Sequence, residues 1–177
     1  MDKKAYLTLE YNKIISRLAD YASFSASAEL ARRLQPQSDL QDVRDRQSAT
    51  REARHILSLN LDLPFHNAHD IRPQIGVARR EGVLEPGDLL EIKNTLIVAR
   101  SARRVLETLV EETPMLSSLA EHLPVGLGLV DQINKTISER GDILDSASDK
   151  LSQIRGEIKI TYERMMARMQ RFLSEPS

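Results

Sequence analysis

Apolar residues recur at intervals of three and four along almost the whole chain, and the strict alternation of a half-buried strand is nearly absent. The pattern predicts an all-α fold, a multi-helix orthogonal bundle with a long C-terminal helix. Thr8 stands where it can cap a first helix with the apolar face Leu9, Ile14, Ile15, Leu18 and Tyr21, which ends at Ser23-Phe24-Ser25. A short second helix turns Leu30 and Leu34 inward and stops before Pro36. Ser38-Asp39-Leu40-Gln41 reads as a capping box in which the Ser38 hydroxyl and the Gln41 side chain each satisfy a first-turn amide. The helix it opens runs to about Asn60 through Leu40, Val43, Ala49, Ala53, Ile56 and Leu57.

Leu61 to His69 reads as a loop, after which Asp70 caps a helix that carries Pro73 in its first turn and stops near Gly82. Glu85-Pro86-Gly87-Asp88 opens a long helix with the stripe Leu89, Leu96, Ile97, Val105, Leu106, Leu109 and Val110, ended by Thr113-Pro114. One short helix follows with Leu116, Leu119, Ala120 and Leu123, then the connection Gly126-Leu127-Gly128, then another with Leu129, Ile133 and Ile137. Gly141 to Ser146 suits a turn or a residue pair of strand. From Ser148, a good N-cap, the helical pattern runs almost to the C-terminus. These elements divide the chain into a helical core domain over 1–147 and the start of a long helix over 148–177.

That last helix is too apolar to stand alone. Leu151, Ile154, Ile158, Met165 and Phe172 form a coiled-coil-like row that Thr161 and Arg168 interrupt, and Tyr162, Met166, Met169 and Leu173 form a second row beside it. So wide a face predicts a partner, and a returning helix outside this chain fits it. Between Lys150 and Ser177 six basic residues (Lys150, Arg155, Lys159, Arg164, Arg168, Arg171) stand against three acidic ones. Arg164, Arg168 and Arg171 share a face, so they, with Arg155 and Lys159, are candidate phosphate contacts, set against a solvated face whose arginines lie over the methionines. Arg79, Arg80, Arg100, Arg103 and Arg104 form a second basic group among nearby acids.

Composition narrows the rest. With no cysteine, disulfides, thiolate metal sites and cysteine nucleophiles are excluded. Twenty-five basic and 26 acidic residues leave a formal charge of −1, so attraction to nucleic acid or an anionic membrane must be local. Neither a signal-peptide core nor a run of about 18 apolar residues is present, which points to the cytoplasm and no membrane. His66, His69 and Asp70 are metal-ligand residue types, but a metal needs three or four converging ligands, and a polar loop with Asp70 as helix cap accounts for them; no metal ligand is assigned. His55 and His122 have no carboxylate or serine placed beside them by sequence. No catalytic constellation and no glycine-rich phosphate loop is visible, so neither a catalytic nor a cofactor-binding residue is assigned.

Several segments, in order, resemble the N-terminal region of the second bacterial MutS family, MutS-two. They are Thr8-Leu9-Glu10-Tyr11-Asn12-Lys13-Ile14, Leu34-Gln35-Pro36, Asp70-Ile71-Arg72-Pro73, Gly82 to Leu90, and most sharply Gly141-Asp142-Ile143-Leu144-Asp145-Ser146-Ala147-Ser148 followed by Leu151 and Ile154-Arg155. The resemblance implies a MutS core domain joined to the ascending lever helix of a clamp. It implies a parent protein that is a dimeric ATPase, using ATP and Mg, and an endonuclease. Such proteins are associated with branched DNA, suppression of recombination and rescue of collided ribosomes, with the rRNA contact this entails. It also implies that this chain is not itself an enzyme and stops short of the clamp, returning lever, ATPase and Smr domains, so its partners are the rest of its polypeptide, DNA or the ribosome. The alternative from the residues alone is a stand-alone helical module that docks a protein through residues 151–173.

Overall fold

The computed structural model describes residues 3–61, 63–126 and 128–174, and they are all-α. Met1, Asp2, Asp62, Leu127 and Glu175-Pro176-Ser177 lie outside the described residues. The helices are α1 (Lys3–Thr8), α2 (Tyr11–Asp20), α3 (Ser25–Arg32), α4 (Leu40–Ser58), α5 (Arg72–Ala78), α6 (Pro86–Thr108), α7 (Pro114–Glu121), α8 (Gly128–Thr136) and α9 (Asp149–Ser174). They form two compact units, Met1–Leu127 and Gly128–Ser177, so α8 and the turn after it group with the long last helix.

In the first unit α7 packs against both α6 and α4, with Ile56, Leu106 and Ala120 buried together and Leu63, Leu109, Leu116 and Leu123 packed around them. Pro114 at the start of α7 has no N–H, and the next two amides, of Met115 and Leu116, donate to the two Glu52 oxygens of α4 at 3.2 and 2.9 Å. Glu52 is thus a cap supplied from another helix, which is why a carboxylate is buried here. Behind it, the fully buried Thr113 donates to the Leu109 carbonyl, and the Ser117 hydroxyl donates to that of Leu106, tying the end of α6 to the start of α7. Arg72 joins α3 to α5: its guanidinium donates to Asp70 at 2.5 and 2.7 Å and to Glu29 at 2.6 Å. These contacts hold both carboxyls below their ordinary range, chiefly through the hydrogen bond each accepts from Arg72.

Several boundaries and faces differ from the sequence reading. Thr8 ends α1, its hydroxyl donating to the Lys4 carbonyl, and α2 starts after Glu10, whose φ of 49° breaks the two helices apart. Of the face assigned to α2 only Ile15 is buried, together with Ala19; Leu9, Ile14, Leu18 and Tyr21 are exposed. Leu30 and Leu34 also face out, while the small residues Ala26, Ser27 and Ala28 of α3, which packs on α2, are half-buried. Asp39, not Ser38, caps α4 by accepting from the amides of Gln41 and Asp42, while the Gln41 side chain reaches Asp45. On α4 itself Leu40 and Leu57 are exposed.

Helix α5 ends at Ala78, and Glu81 at φ 56° turns the chain so that the Gly82 amide donates to the Val77 carbonyl. A Cβ on Gly82 would come within 2.7 Å of the Val77 side chain, hence glycine. Helix α6 stops at Thr108, and the chain turns at 109–112 before Thr113. Its buried line is Lys93, Val98, Ala102 and Leu106, whereas Ile97 and Val110 are exposed. Leu119 of α7 and Leu129 of α8 are exposed as well.

Candidate partner and nucleic-acid interface

The second unit is built around a tight reversal. Ile133 and Ile137 are buried, and Ile137 pairs with Ile143 in an antiparallel bridge across the turn that Gly141 makes at φ 87°. The Leu144 amide donates to the Thr136 carbonyl at 2.9 Å and the Ser146 hydroxyl to that of Lys135 at 2.6 Å. Ser148 caps α9 by accepting from the Leu151 amide at 3.2 Å. Arg155, one turn further on, donates to the Ile143 carbonyl at 2.9 Å and to Asp145 at 2.5 Å, clasping the reversal to the helix.

From there α9 runs 26 residues with its apolar face open. Ile154 is 43% exposed, Ile158 62%, Met165 47% and Met169 53%; Tyr162, Met166, Phe172 and Leu173 are exposed too, and only Leu151 is half-buried. One uninterrupted apolar seam runs through Leu151, Ile154, Ile158, Tyr162, Met165, Met169 and Phe172, within an arc of roughly 80° on a helix of 3.6 residues per turn. Two successive steps of four, at Ile154 to Ile158 to Tyr162, carry it past Thr161 and Arg168. The interruption in the sequence reading is therefore a shift of register.

The cations fall on two flanks of this seam. Arg164, Arg168 and Arg171 project along one side, where Arg164, Arg168 and Met165 border a shallow depression. Lys159 and Arg155 lie on the other, Arg155 already engaged by Asp145. Lys159, Arg164 and Arg168 make no ion pair among the described residues.

Elsewhere, Asp70 is committed to Arg72, and the His69 ring nitrogen stands 3.9 Å from Glu91 while its backbone amide donates to Thr95. Among the described residues no three His, Asp or Glu side chains converge as a metal would need. Arg103 of the second basic group pairs with Glu107 and donates to the Leu123 carbonyl, a structural role, and Arg80 donates to the Gly76 carbonyl. Sequence spacing did not single out Arg46, Arg51 and Arg54, which α4 and the 34–37 segment bring to one groove. No described helix is long and apolar enough to cross a membrane.

No family model matches the chain. It is similar to the Endonuclease MutS2 of Symbiobacterium thermophilum, with 35% identity over 98% of this chain and 22% of that protein. The Endonuclease MutS2 of Geobacillus kaustophilus is 32% identical over 100% of this chain and 23% of its own length. That of Brevibacillus brevis is 35% identical over 90% and 20%. The ordered segments of the sequence resemblance, the all-α fold and these matches agree: the chain is similar to Endonuclease MutS2 proteins along nearly its whole length and spans about 22% of theirs.

Proposed function

We propose that this chain is a non-enzymatic core and lever region of a MutS2 protein, residues 1–147 serving as core and 148–177 as the start of the lever. Its task is mechanical: a helical body joined to a long helix transmits ATP-driven rearrangement in one part of the parent protein to a nucleic-acid clamp in another. The observation that supports this is the open seam of α9, whose size calls for a helix to lie along it. The occupant is a returning helix of the same polypeptide. Arg164, Arg168 and Arg171, with Lys159, contact phosphates, of DNA or of ribosomal RNA; Arg155 is less suited because Asp145 holds it. ATP, Mg and the nuclease chemistry belong to other regions of a homodimeric parent.

Immunoblotting the native source with an antibody against this chain gives a band several times larger than 20.0 kDa on this reading. Hydrogen exchange within residues 151–173 of that native polypeptide should change when ATP is added. A large polypeptide whose α9 exchange ignores ATP refutes the transmission of motion. A band at 20.0 kDa refutes the larger parent and favours a second reading, a protein-docking module, for which the exposed Met165, Met166 and Met169 are chemically suited.

A further inference from the structure

A groove runs along the outer side of α4, on the face opposite Glu52 and Ile56. Its second wall is the 34–37 segment, held by the Tyr11 hydroxyl, which donates to the Leu34 carbonyl at 2.9 Å, and by Arg46, which donates to that of Gln35 at 3.4 Å. Leu34, Pro36 and Val43 make an apolar floor, and the groove continues past Arg51 and Arg54 to Ser58. From Val43 to Ser58 is about 22 Å of helix.

The charge in this groove is mainly basic, a carboxylate reaching its lining only where Glu112 bonds His55 at 2.5 Å. No other Asp or Glu lines it, and Arg46, Arg51 and Arg54 make no ion pair among the described residues. Elsewhere in the same unit arginines find carboxylates: Arg33 and Arg72 take Glu29, and Arg103 takes Glu107. Of the acids of α4, Asp45 bonds Gln41 and the buried Glu52 caps α7.

We infer that this groove binds the backbone of single-stranded nucleic acid. Guanidinium forks match phosphate oxygens in geometry as well as charge, and three of them spaced along one helix face follow a linear polyanion. The apolar floor decides between strand forms: a single strand offers base faces to it, whereas a duplex keeps its bases stacked inside. A groove of this length covers roughly four nucleotides. The site is on a different helix and in a different unit from the α9 cations, so it stands independently of the lever reading.

The full 177-residue chain is titrated into a fluorescein-labelled oligothymidylate and an oligouridylate of about 20 nucleotides, across salt from about 50 to about 200 mM. Binding is expected to steepen as salt falls. The R46Q/R51Q/R54Q variant should flatten the slope of log K against log salt by about 2 and weaken binding about 100-fold at the lowest salt. R46K/R51K/R54K, which keeps the charges, should retain the slope, and circular dichroism confirms that both variants are folded. Absence of binding by the unmodified chain overturns the inference, as does binding unchanged in the glutamine variant. Equal affinity for a duplex of the same length overturns the single-strand assignment, and displacement by polyglutamate at equal charge shows an acidic peptide site instead. Loss confined to R164Q/R168Q/R171Q refutes the α4 site while leaving the α9 contacts intact.

Discussion

Replacing Glu52 with alanine removes the cap of a helix whose sequence lies more than 60 residues away. Its two oxygens take the amides of Met115 and Leu116 at 3.2 and 2.9 Å, the first donors that α7 has after Pro114. A hydrogen bond to a charged group contributes about 1.5–3 kcal/mol net, and charge at a helix N-terminus adds about 0.3–1 kcal/mol. Two such bonds would sum to about 5 kcal/mol, but Met115 is 38% exposed, so water replaces part of what its amide loses. The expected cost of E52A is therefore about 3 kcal/mol, a fall of roughly 6–12 °C in Tm for a chain of this size. E52Q keeps one acceptor and should fall between E52A and the unmodified protein. Urea titration followed by circular dichroism gives the free energies, with E111A as control, since Glu111 is exposed and bonds to nothing described. Amide exchange at Met115 and Leu116 should speed up selectively. An E52A protein within about 0.5 kcal/mol of E111A, with those two amides unaltered, would refute the trans-capping argument.

Glu29 and Asp70 have carboxyls depressed in the folded state, so the stability they supply is present above their ordinary values of 4.5 and 3.8 and is lost as pH falls through the lower folded values. R72Q should flatten that acid limb in a pH series of unfolding midpoints; an unchanged limb in R72Q would show the triad does not set it. Gly82→Ala forces a methyl to within 2.7 Å of Val77 and should cost about 1–3 kcal/mol, with part recovered in V77A/G82A, as denaturant midpoints will show. I158A should change the chain's stability by less than about 0.5 kcal/mol because Ile158 is 62% exposed, whereas I56A, at 4% exposure, should cost about 2–5 kcal/mol. Equal losses in those two variants would mean that α9 is already covered in solution.

Long elements with strong local signals are legible in the sequence. The starts of α6 and α9, the Ser148 cap and the reversal at 141–146 all follow from capping and turn chemistry within a few residues. Buried faces are less so. Ala19, Ala102 and Ala120 pack where helices approach closely, while larger neighbours such as Leu30 and Leu57 face out, and hydrophobicity alone ranks these in the opposite order. Glu52 is buried because the first amides of α7, more than 60 residues on, meet it, which no local pattern encodes. The open face of α9 is legible because it is one helix and its periodicity is self-contained. The α4 groove is not, since Arg46, Arg51 and Arg54 acquire meaning only when the 34–37 segment folds back over Val43.

The double step of four in the α9 seam also sets a condition on whatever lies along it. A strict heptad repeat winds a left-handed supercoil, and a four-residue insertion locally relaxes that winding toward straight helices. Around Tyr162, then, the two helices of any pair run more nearly parallel to their common axis than on either side of it. A partner of uninterrupted heptads would meet Leu151 to Ile158 in step and drift out of step by Phe172. The partner that fits throughout carries a matching discontinuity opposite Tyr162, so this single offset acts as an address, fixing the axial position of the companion helix as well as its presence.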